Sequence, residues 1–177
     1  GYYGDREDEL LTEESVKGTG FLADLTDKWE MGIAGLNIPY SVLRIGLVFH
    51  PRQGAFPKLV ASLKFNLSLV MGTGKQFLSW IEVSDLCKLM AFLCENRLTG
   101  IYNGVAPNPI RLSSMMNETA KILRKRTLAI YIPSIFIKVI LSKFSELFLF
   151  SQRVSSDKIE KSGFKFSYDK FKTTNLV

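Results

Sequence analysis

Residues 71–86 read MGTGKQFLSWIEVSDL and hold a turn, a short strand and the start of a helix. Two glycines flank a threonine at the start, and glycine lets the backbone take a positive φ, so we predict a turn there. The apolar run 77–81 predicts a brief strand. Ser84 or Asp85 can cap the helix that follows, because apolar residues then recur at helical spacing. The stretch therefore predicts a strand-to-helix connection.

The composition predicts a folded chain of one domain, or one and a fraction. The 177 residues are 46% hydrophobic and include 13 Phe, which is enough to build a core. The net charge is +6, but the Lys and Arg are scattered and the densest run is Arg124-Lys125-Arg126. No groove-reading motif accompanies this charge, so we expect no nucleic-acid binding.

Cysteine and histidine usage limits the possible chemistry. Cys87 and Cys94 fall on one predicted helix and lie about 10 Å apart along its axis, too far for a disulfide between them. We expect both to be packing residues in a reducing intracellular compartment, either the cytoplasm or an organelle such as the chloroplast stroma or mitochondrial matrix. His50 is the only histidine. A histidine-based triad would therefore need another chain, and no spacing typical of metal ligands occurs.

Helical and strand-like segments alternate along the chain. We predict helices at 21–33, 56–69 and 114–125 and a short helix that Gly163 ends, with a surface loop at 5–20. The run SVLRIGLVF at 41–49 predicts a strand buried on both faces, and 101–104 predicts another strand. This order predicts an α/β layer architecture with a parallel sheet.

The most apolar segment is 134–150, SIFIKVILSKFSELFLF. Four polar residues recur in it at three- and four-residue spacing, which predicts one amphipathic helix with a very apolar face. Its apolar side chains could pack in the core, bind a protein partner or lie on a membrane surface. If the segment serves an assembly, part of the set Ile135, Phe136, Phe148 and Phe150 should be uncovered within this chain.

Several blocks in register carry a resemblance to a known family. The central stretch reads G-x-G-x-Q-x-x-S-W-I-x-x-x-D-L, GYYGDR stands at 1–6, and LRIGLV, NGVAPNP, QRV and SGFKFSY follow at 43–48, 103–109, 152–154 and 162–168. Together they resemble the atypical extended short-chain dehydrogenase/reductases, in their sugar-nucleotide-epimerase-like branch, over the C-terminal portion only. Glu82 stands where that branch usually has His.

The resemblance implies an α/β fold with three parts. Residues 1–54 would be a remnant of the nucleotide-binding, Rossmann-like parallel sheet. Residues 55–130 would resemble a small substrate-binding lobe, and 131–177 would be a C-terminal helical extension. In relatives the GYYG block follows the fifth strand, so about two-thirds of the nucleotide-binding sheet would lie outside this sequence.

The same resemblance implies site residues. Arg44, Ile45 and Gly46 match the strand end that lines the nicotinamide in relatives. Four further residues match the substrate-pocket positions, namely Gln76, Trp80, Asp85 and Asn103. No metal site and no catalytic residue is implied, because Phe21 and Leu25 replace the Tyr and Lys of classical members. A literal Y-x-x-x-K at Tyr168 and Lys172 lies far from that helix, and we regard it as chance.

The resemblance therefore implies an NAD(P)-binding epimerase or oxidoreductase of unknown substrate, inactive as this piece. Its Gly-rich pyrophosphate turn is missing, so NAD(P) is implied by the family only and none is expected to bind this chain alone. The alternative is a non-catalytic accessory subunit of a larger assembly. In either case we expect a partner, another chain or the missing N-terminal half, because an unpaired 41–49 strand edge invites aggregation. Peripheral membrane association is a further possibility.

Overall fold

The computed structural model describes residues 1–171. The helices of this part are α1 (Phe21–Ala34), α2 (Ala55–Val60), α3 (Val83–Glu95), α4 (Leu112–Ile122), α5 (Ser134–Leu141), α6 (Glu146–Leu149) and α7 (Asp157–Lys161). The strands are β1 (Leu10–Leu11), β2 (Ser41–Ile45), β3 (Leu47–Phe49), β4 (Leu67–Met71), β5 (Phe77–Leu78), β6 (Trp80–Glu82), β7 (Gly100–Gly104), β8 (Ile110–Arg111), β9 (Leu128–Ile132) and β10 (Arg153–Val154). Short 3₁₀ turns at Ala61–Phe65 and Ser142–Ser145 follow α2 and α5.

Parallel pairing dominates the strands. The parallel pairs are β1 with β10, β2 with β7, β3 with β6 and β4 with β9, while β5 and β8 are antiparallel. Parallel strands need crossover connections, and helices provide most of them here. The predicted α/β class with a parallel sheet is confirmed.

The predicted strand 41–49 is two strands that separate at Gly46. A Cβ on Gly46 would lie 2.4 Å from the carbonyl oxygen of Ser79, so only glycine fits where the chain changes partner. The prediction of burial on both faces is wrong for β2, whose residues are half-buried or exposed. The described residues cover its two faces only in part, and β2 pairs with β7 on one edge while no strand within residues 1–171 pairs with the other.

The predicted helix 56–69 is also wrong in its second half. The helix α2 ends at Val60, and Asn66 then takes a left-handed conformation with φ 59° that turns the chain into β4. In β4 the side chains of Ser68 and Val70 are buried while their neighbours are half-buried, which is the two-residue period of a strand. A short apolar run fits either period, so the sequence could not separate the two.

The apolar segment 134–150 is not one helix. Ser142 has φ 49°, which breaks the segment into α5, a 3₁₀ turn and α6. Ile135 and Phe136 are exposed, whereas Phe148 and Phe150 are half-buried. The segment is therefore only partly covered by the described residues. No helix within residues 1–171 combines the length and apolarity that crossing a bilayer requires.

Other predictions fare unevenly. The helix α1 and the strand β7 lie where predicted within a residue, and Gly163 ends α7 with φ 101°. Residues 5–20 are not only surface loop, because Leu11 of β1 is fully buried. Cys87 and Cys94 are free and both exposed on α3, so the prediction that they pack in the core is wrong. The division at residues 54 and 130 stays a prediction.

Candidate functional site

A cavity of about 690 Å³ lies between α1 and the strands β2 and β3. Residues 42–48 border it without interruption. Successive side chains of a strand point to opposite faces, so an uninterrupted run shows that the edge of β2 opens into the cavity. From α1 the wall receives Leu22, Thr26, Trp29, Glu30 and Ile33. The wall is therefore largely apolar and includes unpaired strand backbone.

The three residues predicted to bind cofactor meet at this cavity. Arg44, Ile45 and Gly46 all border it, and the Ile45 side chain is 45% exposed. The Gly46 amide is directed away from the cavity, because its N–H donates to the carbonyl of Gly104 at 3.1 Å. Ile45 is therefore the member of the three whose side chain is freest to touch a ligand.

Arg44 is held by a carboxylate of α1. Its guanidinium donates to both oxygens of Glu30, at 2.8 and 2.7 Å, and lies 3.4 Å from the ring centroid of Tyr2. Burial lowers the pKa of Arg44, but the hydrogen bonds to Glu30 and Tyr3 outweigh it and the pKa lies above its ordinary value. Arg44 is thus a permanent cation already paired within the chain.

A buried polar chain extends from Arg44 to β7. The Tyr3 hydroxyl accepts from Arg44 at 3.1 Å and donates to the side-chain oxygen of Asn103 at 2.6 Å. Asn103 also donates from its amide side chain to the carbonyl of Ser155 at 3.1 Å and from its backbone N–H to the Glu13 carboxylate at 2.8 Å. Burial raises the pKa of Tyr3 despite its bonds to Arg44 and Asn103. Tyr3 therefore stays protonated and acts as a bridge between the two.

The four residues predicted for the substrate pocket do not border this cavity. Gln76, Trp80, Asp85 and Asn103 are all buried. The Gln76 amide donates to the carbonyls of Met71 and Phe148 at 2.9 and 2.8 Å. The Trp80 indole N–H donates to the carbonyl of Asn108 at 2.8 Å. The side-chain N–H groups of Gln76 and Trp80 are thus engaged within the chain, and the substrate role of all four residues stays a prediction.

Asp85 fastens the C-terminal segment 164–171, which we call the strap. One of its carboxylate oxygens accepts the backbone N–H groups of Ser167 and Tyr168, each at 2.9 Å. The strap ends in Phe171, whose ring contacts Phe49, Phe56 and Trp80 with centroids 5.0, 6.2 and 5.7 Å away. The strap therefore closes the core over Trp80. Lys172, the partner in the chance Y-x-x-x-K motif, lies outside the described residues.

Two acidic residues at the cavity were not predicted. Glu146 of α6 accepts the backbone N–H groups of Phe21 and Leu22, each at 2.9 Å, and so caps α1 from 125 residues away. Glu30 holds Arg44 in place.

The cap of α3 is Glu82, the residue that stands where relatives usually have His. Its carboxylate accepts from the backbone N–H groups of Ser84 and Asp85, so the prediction that Ser84 or Asp85 caps this helix was wrong. Only Glu82, beside its own helix, had a local signal in the sequence.

Proton-transfer and metal chemistry have few candidates at this site. The α1 residues that border the cavity include neither Tyr nor Lys. Within residues 1–171, no three His, Cys, Asp or Glu side chains come together as a metal site.

The fold and cavity define the class: an α/β protein with the C-terminal part of the Rossmann-like fold of short-chain dehydrogenase/reductases and epimerases. Residues 132–174 match a family described as "Domain of unknown function (DUF1731)". An Arabidopsis thaliana relative, "Epimerase family protein SDR39U1 homolog, chloroplastic", is 30% identical over 171 residues, which cover 95% of this chain and 49% of the relative.

Solved structures agree. The chain superimposes on human epimerase family protein SDR39U1 with NADPH at a TM-score of 0.87 and 24% identity, over 96% of this chain and 59% of that one. It superimposes on the nucleoside-diphosphate sugar epimerase of Corynebacterium glutamicum at 0.69 and 27%, over 96% and 33%. The resemblance to epimerase-family proteins is therefore confirmed. The chain spans about half the length of the curated relatives it matches.

Proposed function

We propose that this chain forms the substrate-side portion of an NAD(P)-binding protein of the epimerase and oxidoreductase class. The observation that carries the proposal is the cavity beside Arg44, Ile45 and Gly46. These three residues resemble the strand end that lines the nicotinamide in relatives. The human relative was solved with NADPH, and the assignment of a cofactor to this cavity rests on that likeness.

The partner in this proposal is a nucleotide-binding portion that adds a strand to β2. The free edge of β2 opens into the cavity over residues 42–46, so a strand laid there would pair with unsatisfied backbone groups and fill part of the apolar space. Pyrophosphate binding needs backbone N–H groups at a helix N-terminus, and the sequence contains no Gly-rich turn of that kind. The partner would therefore supply most of the cofactor contacts.

The proposed compartment is a reducing one inside the cell. Cys87 and Cys94 are both free and exposed. Exposed free thiols persist where glutathione and thioredoxin keep them reduced. Thiol labelling of the protein taken directly from cells tests this, and oxidised Cys87 or Cys94 would contradict it.

The test of the function uses tagged protein isolated with its natural partners from the cells that make it. We expect equilibrium dialysis to detect NADPH binding to this material. The variant Ile45→Trp places a large ring in the cavity from a side chain that is already 45% exposed, so it should block binding without disturbing the core. The matched control is Ile38→Trp, because Ile38 is also exposed and does not border the cavity.

Three outcomes decide the matter. Binding that Ile45→Trp abolishes and Ile38→Trp keeps supports the proposal. Absence of NADPH binding in the isolated material, or equal binding by both variants, overturns it. The recombinant chain alone should bind NADPH more weakly than about 1 mM, since a few backbone contacts remain; micromolar binding would show that no partner is needed.

A further inference from the structure

We propose that β9 and its surroundings bind an extended, acidic segment of a partner protein by adding it as a strand to the free edge of β9. This surface is separate from the cavity and from β2. The proposal rests on the exposure of β9, on its open backbone edge and on a concentration of positive charge around it.

Four of the five residues of β9 are exposed, although the strand is entirely apolar apart from the hydroxyl of Tyr131. The strand β9 pairs with β4 on one side, and no strand within residues 1–171 pairs with the other side. Natural proteins usually protect such edges with charge, proline or a covering element, and β9 has none of these within its length. An uncovered apolar edge strand is thus a surface shaped for a partner.

The backbone groups available on this edge can be assigned. The N–H of Leu128 donates to Asn66, and the carbonyl of Ile132 accepts from Gly72, so even-numbered residues bond towards β4. Alternation along a parallel pair then directs the N–H and C=O groups of Ala129 and Tyr131 to the open edge. An added strand would find donors and acceptors at these two residues.

Exposed apolar side chains also occur in the segments that precede β4 and follow β9. Phe65, which precedes the Asn66 that bonds to Leu128, is 78% exposed. On α5, which follows β9 after Pro133, Val139 and Ile140 are among the most exposed large apolar side chains of the described part. Alternate side chains of an added strand could pack against such groups.

Charge selects an acidic partner. Residues 55–76 and 119–145 hold β4, β9 and α5, and they carry nine of the 23 Lys and Arg but none of the 17 Asp and Glu. All nine cations are exposed, and none forms an ion pair within the described part. Of the two acids that flank 119–145, Glu146 already caps α1. The Lys and Arg residues looked scattered in the sequence, but nine of them lie in these two segments, which contain no Asp or Glu. Their positive charge would repel a second copy of this surface.

The same charge would attract an anionic membrane, but the backbone of β9 favours a peptide. Open N–H and C=O groups cost free energy when they enter hydrocarbon, whereas a partner strand satisfies them. A peptide strand thus uses the backbone edge, the apolar side chains and the cations together.

The test places the photo-crosslinking residue p-benzoylphenylalanine at Tyr131 in the tagged protein within its native cells. Tyr131 is exposed, and the new side chain differs from tyrosine only beyond the ring. Met90 on α3 is similarly exposed, outside both cationic segments, and serves as the control position. We expect Tyr131 to cross-link to an extended protein segment with acidic flanks, identified by mass spectrometry. The same cross-link, formed in extracts of these cells, should weaken in high salt.

A second substitution distinguishes strand addition from nonspecific binding. Ala129→Pro removes an N–H on the open edge and leaves the bonds to β4 intact, so it should abolish the cross-link, whereas Ala129→Val should keep it. A cross-link that survives Ala129→Pro, one to lipid, one no stronger than at Met90, or none at all would overturn the proposal. Flotation of the protein with phosphatidylglycerol vesicles, lost when the nine cations are screened by salt, would assign the surface to membrane instead.

Discussion

Replacing Glu146 by alanine should loosen the start of α1, although the two lie far apart in sequence. The Glu146 carboxylate accepts both the Phe21 and the Leu22 N–H, and α1 has no cap of its own because Gly20 precedes it. Loss of a capping side chain costs about 0.5–2 kcal/mol. Loss of a negative charge at a helix N-terminus costs about 0.3–1 kcal/mol more.

A total near 2 kcal/mol corresponds to roughly a 30-fold change in the local opening equilibrium. Hydrogen exchange measured by mass spectrometry on the native protein should show this loss of protection in residues 21–24. Glu146→Gln keeps an acceptor and should lose about half as much. The control is Glu118→Ala, since Glu118 is exposed on α4. Unchanged protection at 21–24 in Glu146→Ala would refute the assignment of this cap.

Three other changes test the fold around the site. Gly46→Ala should destabilise the protein by about 1–3 kcal/mol, because the new Cβ clashes with Ser79. The control Gly32→Ala has nothing within 4 Å of its new Cβ and should stabilise α1 by about 0.5–1 kcal/mol. Thermal unfolding compares the two variants, and equal shifts in unfolding temperature would contradict the clash. Asp85→Ala should free the strap and speed tryptic cleavage after Lys165 relative to Asp85→Asn, which keeps an acceptor oxygen; equal cleavage rates would refute this. Tyr3→Phe should cost about 1–3 kcal/mol by leaving its buried partners unpaired. Because burial raises the pKa of Tyr3 above its ordinary value of 10.0, its stabilising effect is fully present below pH 10.0 and is lost as the pH rises through the raised pKa. Tyr3→Phe should lack this loss in alkaline denaturation.

Local sequence patterns predicted the fold class and several helices and strands, but they failed where secondary structure or burial depends on residues distant in the sequence. The period in 83–95 and the glycine after α7 are local signals, and both elements formed. Residues 67–71 became a strand because β9 pairs with them, and no signal near 67 announces a partner some sixty residues away. The exposure of β2 likewise goes with an edge that no strand within residues 1–171 covers, which no local pattern announces.

The candidate site divides in the same way. Arg44, Ile45 and Gly46 are consecutive, so one resembling block sufficed to predict that they lie together, and the structure places them at the cavity. The substrate positions come from different blocks, and in the structure Gln76 and Asp85 fasten α6 and the strap; their substrate role stays a prediction. Glu30 and Glu146 were missed because the residues around a glutamate do not reveal which distant group its carboxylate will pair with.

The long reach of these contacts bears on how the chain folds while it is being synthesised. The strand β1 has to wait for β10, and α1 for the carboxylate of Glu146, before either is held in place. At translation rates of about 5–20 residues per second, the chain between Phe21 and Glu146, 125 positions apart, takes roughly 6–25 s to emerge. During that interval the first helix has an apolar face that its own core does not yet cover. A nascent chain of this kind should therefore depend on a holding chaperone at the ribosome more than a protein built from neighbouring hairpins and helices.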